Sequence, residues 1–191
     1  MRATGVKEKV DRAAVALFAA RGVDGVSIAE IAIAAGVAQG ALYRHYRSKE
    51  ELAARLFADA YHRTGAELAE IAVAHQPFEA RITAMIAHFC ALYDRDPALF
   101  RFMLLAQHEL LPAIDDGGAA PVSAIEAAVA DAIAAGEIAV GVAEAAAVVM
   151  GIVLQTALFH LYRRLDGPLV PRAPALARAA VTAVRALDDG R

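Results

Sequence analysis

Apolar residues return every three or four positions along almost the whole chain, and no long stretch alternates apolar with polar in the manner of a strand. Val6, Val10, Ala13, Ala14, Leu17 and Phe18 line one face of a first helix. Arg21-Gly22 ends it, glycine being suited to a C-terminal cap. A turn over 23–26 leads to Ser27-Ile28-Ala29-Glu30, a serine with a glutamate three positions on. In that pairing the hydroxyl caps a free backbone N–H at the start of a helix and the carboxylate reaches back. The second helix is short, turns Ile28, Ile31, Ala32 and Ala35 inward, and stops at Gly36. Gly36-Val37 is a tight turn with positive φ at the glycine and Val37 between the two helices. A third helix spans about 38–46 with Leu42 and Tyr46 inward. Ser48 and Glu51 form a second capping pair that opens the next helix at Lys49.

Beyond Lys49 the pattern is helix after helix. The fourth runs to about Ala72 with Leu52, Leu56, Ala60 and Leu68 inward. Pro77 opens a fifth, whose face carries Ile82, Met85, Ile86, Phe89 and Tyr93, and Asp96-Pro97 begins a sixth. Residues 115–118 read as a loop; a seventh helix covers 121–135 and is closed by Gly136, an eighth about 142–165, a ninth about 173–187. The fold class expected is all-α: a three-helix head of the helix-turn-helix kind and a body of about six helices. No low-complexity linker or internal repeat separates them, so the fourth helix joins head to body.

Composition narrows this picture. The 191 residues, 59% hydrophobic and 21% charged, exclude an intrinsically disordered chain and suffice for a sizeable core. Alanine dominates, the residue that costs least in a helix. With one cysteine, Cys90, there is no intramolecular disulfide; its apolar helical setting reads as a buried thiol rather than a nucleophile. Residues 1–11 are charged and carry no apolar signal segment. The longest uncharged stretch, 145–162, is interrupted by Gln155, Thr156 and His160, and reads as a helix buried in protein or between two subunits rather than in a bilayer. A soluble, cytoplasmic chain is expected.

The net charge of −3 is unevenly spread. Residues 1–64 hold ten Lys/Arg against seven Asp/Glu, while the remainder holds nine against fifteen, and all three lysines lie in the first part. A mildly basic head on an acidic body suits a partner whose phosphates meet one end only. The second and third helices are built accordingly. Small Gly40 and Ala41 allow close approach to another surface; Gln39 can pair with a base edge and Ala41 can touch a thymine methyl. Tyr43, His45, Arg47 and Lys49 can bond to phosphates. Ser27, Ala38, Gly40 and Arg44 complete the candidate DNA-contact set, with the helix-turn-helix itself at about 28–47.

These residues carry a specific resemblance. Ala35-Gly36-Val37, Gly40-Ala41-Leu42-Tyr43, Tyr46 and Ser48-Lys49-Glu50-Glu51-Leu52, with Ala19-Ala20-Arg21-Gly22 in the first helix, closely resemble the TetR family of repressors over the first third of the chain. Ala38 departs from the serine or threonine frequent there, and His45 from a second aromatic. The resemblance implies a DNA-binding domain at 4–62, with Tyr43 and Lys49 at phosphate-contact positions, and an effector-binding and dimerisation domain at 63–191. It implies a ligand-responsive repressor, a homodimer on a palindromic double-stranded operator, released by a small-molecule effector, with no cofactor, metal or membrane partner.

In the body the resemblance extends weakly to Asp96-Pro97-Ala98-Leu99-Phe100-Arg101-Phe102 and Ala134-Ala135-Gly136-Glu137-Ile138. It implies a two-fold interface made by the last two helices. Gly151, Gln155, Leu158, Phe159 and Tyr162 on the eighth, with Leu176, Ala180 and Val184 on the ninth, are the candidates. It also implies an effector cavity within the body. Adaptable methionines and aromatics with a few polar groups nominate Met85, His88, Phe89, Tyr93 and Met103, then Gln107, His108, Met150 and Phe159.

Two rival functions stand beside this one. Six histidines raise an all-helical enzyme or metal protein, but they are scattered, no His-Glu-x-x-His occurs, and no nucleophile–base arrangement is visible. The chain is read as no enzyme. A ligand carrier without DNA binding is the other rival, opposed by Gly36, Tyr43 and Lys49.

Overall fold

The computed structural model describes residues 3–114 and 118–188; the loop expected at 115–118 lies outside these except for Gly118. Every regular element among the described residues is helical. In chain order they are α1 (Ala3–Arg21), α2 (Ile28–Ala35), α3 (Gln39–Tyr43), α4 (Lys49–Ala74) and α5 (Phe78–Arg95). Then come α6 (Pro97–Leu110), α7 (Pro121–Ala134), α8 (Val142–Leu161) and α9 (Ala173–Asp188), with single 3-10 turns at Leu111–Ala113 and Val170–Arg172. Two helices stop earlier than expected. The expected 38–46 helix is only Gln39–Tyr43, because the chain tightens there and both the His45 and Tyr46 amides donate to Leu42 O. The expected 142–165 helix ends at Leu161, where Arg163 takes a left-handed φ of 56° and the Arg164 amide reaches back to Phe159 O.

The chain packs as two compact units. The first contains α1, α2, α3, the start of α4 as far as Ala60, and α6. Its centre is aromatic. Phe102 of α6, 1% exposed, lies 5.7 Å from the Phe18 ring and meets Phe57 edge-on at 6.3 Å. Such pairs are worth about 0.5–1.5 kcal/mol beyond the area they bury. Val10, Ala14, Ile31, Leu42 and Leu52 close around this centre. The unit is therefore larger than the contiguous head expected at 4–62, since α6 belongs with it.

The second unit holds α4 from Tyr61, α5, α7, α8 and α9. Its core is formed by Ile82, Met85 and Ile86 of α5 with Ile125 and Val129 of α7, Ala145 and Ala157 of α8, and Ala180 and Val184 of α9. Buried Arg81 satisfies its guanidinium against backbone, donating to His75 O at 3.2 Å and Ala128 O at 3.0 Å, with Asp131 at 3.4 Å. A buried charge needs such partners to be tolerated. The Asp94 carboxylate accepts the Leu169 and Val170 amides at 2.9 and 2.8 Å, fixing the 3-10 turn that introduces α9.

Candidate nucleic-acid interface

The turn between α2 and α3 is set by short-range chemistry at both ends of α2. Ser27 Oγ accepts the Glu30 amide at 3.3 Å while Glu30 Oε2 accepts the Ser27 amide at 2.8 Å, the reciprocal cap the spacing predicts. Glu30 Oε1 also receives Arg21 Nη1 at 2.8 Å, tying the end of α1 to the start of α2. The Arg21 guanidinium and the Ser27 donors hold the Glu30 carboxyl down at about 2. At the other end Gly36 sits at φ 66°, ψ 37°. Its amide donates to Ile33 O and that of Val37 to Ala32 O, the paired bonds of a Schellman cap, which a Cβ would strain. Val37 is half-buried behind the turn.

The five residues of α3 divide by face. Leu42 is fully buried, and Tyr46 just beyond the helix is 1% exposed. Gln39, Gly40, Tyr43, Arg44 and Arg47 are exposed together, with Ala41 and His45 half-buried. Ala38 is extended and, lacking a side-chain oxygen, leaves α3 without a side-chain cap; Ser27 and Ala38 are both exposed. Gly40 has open space where a Cβ would stand, so nothing within the chain requires a glycine there. A hollow of about 760 Å³ lies between the start of α2, Gln39 and Tyr43 of α3, and Arg47 to Glu50 at the head of α4.

Lys49 is the one cation of the candidate set that is mostly covered, its side chain 17% exposed, with Nζ 3.5 Å from Asp24 O and 3.8 Å from Glu50. Glu50 stays ionised: the amide at its own position, the Ser48 hydroxyl and Lys49 hold its carboxyl below the usual value. The second capping pair is displaced by one residue. Ser48 Oγ accepts the Glu51 amide at 3.1 Å, but the Glu51 carboxylate accepts from Arg47 N at 2.7 Å rather than from Ser48.

A further contact anchors this region to α1. Tyr46 Oη donates to Asp11 Oδ1 at 2.6 Å, and Lys7 Nζ donates to Asp11 Oδ2 at 2.7 Å. The Lys7 ammonium and the Arg55 guanidinium each lie 5.9 Å from the centre of the Tyr46 ring, within cation–π range. Burial, then the bond to Asp11, push the Tyr46 phenol up to about 12, and the same carboxylate holds the Lys7 ammonium above its usual value. No local pattern marks Asp11, which pairs across 35 positions.

The residues nominated in the body are spread over both units. Met85, Phe89 and Tyr93 are buried on α5, with the Tyr93 hydroxyl 2.7 Å from His160 Nδ1. Half-buried His88 has Nε2 3.0 Å from Glu67 Oε2, but off the line of a hydrogen bond. Met150 is half-buried on α8. Met103 and Gln107 are half-buried on α6, in the first unit. His108 is exposed and Phe159 46% exposed, so neither lines an interior within this chain.

Gly151, Gln155 and Phe159 on α8, with Tyr162 just past its end, are exposed along one stripe with Leu158 half-buried beside it; Leu176 is half-buried on α9. Ala180 and Val184, nominated for the same interface, are fully buried and leave no surface for a partner; that face of α9 packs inside its own unit, against α5 and α8. By length and composition α8 could cross a membrane, mean hydropathy 1.9, yet only 28% of its apolar window is buried. Among the described residues no three His, Cys, Asp or Glu are grouped to hold a metal ion.

Comparison with known proteins agrees with this geometry. Residues 12–56, from α1 into α4, match the family model for bacterial regulatory proteins of the tetR family. No curated protein matches the chain in sequence. Solved structures do match in fold. The fatty acid degradation regulator FadR from Bacillus halodurans superposes with a TM-score of 0.80 at 17% identity, over 91% of this chain and 93% of that one. FadR from Bacillus subtilis, in complex with stearoyl-CoA, gives 0.76 at 18% identity, over 93% and 99%. A putative TetR-family regulator from Mesorhizobium loti gives 0.68 at 19%, over 98% and 96%. The matched segment coincides with the capped α2, the Gly36 turn and α3, so residues 12–56 are similar to the DNA-binding segment of the tetR family of bacterial regulatory proteins, and the chain shares the all-α fold of these solved regulators.

Proposed function

We propose that this protein is a cytoplasmic, homodimeric repressor that holds a palindromic operator through α2 and α3 and releases it on binding a small molecule. The observation that carries the reading is the division of α3: Gln39, Gly40, Tyr43 and Arg44 face outward together while Leu42 and Tyr46 anchor the helix. A short helix presented this way on a glycine turn fits the major groove, and open space at Gly40 lets the backbone come close to DNA. Gln39 and Ala41 read base edges; Tyr43, Arg44, His45, Arg47 and Lys49 hold phosphates. Ser27 and Ala38 sit at the starts of the two helices, where backbone N–H groups approach the strand. Residues 4–62 supply the contacts with DNA, and 63–191 the effector site and dimer contact.

The exposed stripe on α8 supports dimerisation: an apolar helix with one face open to solvent gains by meeting a partner surface, and Gly151 lets a second helix approach closely. On a palindromic operator the two α3 helices of a dimer would lie about 34–36 Å apart, one turn of DNA. Effector release follows if the ligand prefers a protein form with a different spacing. Because the Bacillus subtilis neighbour was solved with stearoyl-CoA, long-chain acyl-CoA is the first compound to try. Met85, Phe89, Tyr93 and Met150, all in the second unit, are the proposed effector-site residues.

The test is fluorescence-anisotropy binding to duplexes chosen by the protein from a random pool, at several salt concentrations. Selective binding should weaken as salt rises, with a slope of about −0.9 per phosphate neutralised. Changing Arg47 or Lys49 to Ala should lower that slope by about one each. Gln39→Ala should cost about 1–3 kcal/mol at one base position and leave the slope alone. Failure of the unaltered protein to select any sequence sinks the proposal.

A further inference from the structure

The DNA-reading helix is too short to hold its own orientation. Five residues are far below the length at which a helix persists in water, so α3 takes its position from its anchors. Leu42 and the Tyr46 ring supply apolar contact, which is strong but non-directional. Such contact alone allows α3 to roll on the unit beneath it, and a small roll redirects every exposed side chain. The directional anchor is polar. The 2.6 Å bond from Tyr46 Oη to the Asp11 carboxylate is short and demands alignment.

Asp11 is itself held. Lys7, one turn earlier on α1, takes its second oxygen at 2.7 Å, leaving the first aimed at Tyr46. Lys7 and Arg55 flank the Tyr46 ring, so two cations share the region with the carboxylate. For packing alone, phenylalanine would fill the Tyr46 position as well; the hydroxyl adds only direction. Resting on the DNA-reading role of α3 argued above, we propose that Asp11 is a positioning residue: acting through the Tyr46 hydroxyl, it sets the roll of α3 and hence the direction in which Gln39 and Tyr43 meet DNA. Neither Asp11 nor Tyr46 touches DNA in this arrangement. Their effect falls on the choice of sequence rather than on attraction to phosphates.

The experiment compares the unaltered protein with Tyr46→Phe, Asp11→Ala, Asp11→Asn and the Asp11→Ala/Tyr46→Phe double variant. Each is measured by anisotropy on a duplex selected by the unaltered protein and on its scrambled counterpart, across a salt series, with a thermal melt of each variant. Tyr46→Phe and Asp11→Ala should each lower the selected-to-scrambled affinity ratio about tenfold, the size of one hydrogen bond to a charged group. The double variant should lose no more than either single change, because both remove the same bond. Asp11→Asn keeps an acceptor for the hydroxyl and should restore most of the ratio. Scrambled-DNA affinity and the salt slope should change far less than the ratio, since Arg47 and Lys49 lie beyond α3 and are untouched. An unchanged ratio in Tyr46→Phe overturns the proposal. So does an equal loss on both duplexes in step with a lowered melting temperature, which would mark a merely structural bond. If the unaltered protein selects no sequence at all, the DNA-reading role itself has failed; selection with a tolerant Tyr46→Phe defeats the positioning role alone.

Discussion

Glu30 shows how much one side chain settles in this head. It closes the cap on α2 and takes Arg21 from the end of α1, and these donors lower its carboxyl from the ordinary 4.5 to about 2. A group whose folded pKa is depressed stabilises the fold above its unfolded value and loses that contribution as pH falls through the folded one. Glu30→Gln should therefore melt at a lower temperature than the unaltered protein at neutral pH. The gap should shrink between pH 4.5 and about 2 as the glutamate of the unaltered protein takes up its proton. A gap that persists at the acid end would show that shape rather than charge matters at this position. The cap was legible because both partners sit within one turn, as was Gly36, whose left-handed backbone leaves a glycine in the sequence. The Asp11–Tyr46 bond was not legible, for its partners are 35 residues apart and no local pattern marks Asp11. At Ser48 and Glu51 the spacing was right, but the carboxylate had the Arg47 amide within reach and took that instead.

At the scale of elements, helix existence was written in apolar periodicity and in glycine and proline punctuation, so the nine helices among the described residues were legible as helices. Their ends were less so. The start of α5 follows Pro77 and the end of α7 precedes Gly136, both as expected. The end of α8 is set instead by an arginine in a left-handed conformation, a site that glycine usually marks. The shortening of α3 has the same kind of cause, a backbone that tightens without any breaker residue. That brevity makes a prediction: a synthetic peptide of residues 38–47 should show no helical circular dichroism in water and no sequence preference for DNA. Helical signal and selective binding by the peptide would mean that α3 does not depend on Leu42 and Tyr46 for its form.

For the whole molecule, the contents of the two units could not be read along the chain. The sixth helix joins the first unit through Phe102, which meets Phe18 and Phe57 from more than forty positions away, and no spacing rule reaches that far. Ala180 and Val184 went to the wrong side of α9 for a related reason: periodicity identifies an apolar face but not what covers it, and here the chain's own second unit does. The α8 stripe is the opposite case, apolar and left open. Phe159→Asp should shift the protein from dimer to monomer in sedimentation or light scattering at micromolar concentration while the circular dichroism of the folded protein is retained. A dimer undisturbed by a carboxylate in the middle of that stripe would move the contact elsewhere. With a second copy on α8, the amount of protein becomes a regulatory quantity in its own right. Below the dissociation constant of the pair, the concentration of DNA-competent dimer rises as the square of the chain concentration, so halving synthesis would quarter it. Association of folded chains also stabilises them by mass action, so the melting temperature would climb with concentration. The uncovered face of one helix would thus make the regulator sharply sensitive to gene dosage, before any effector is present.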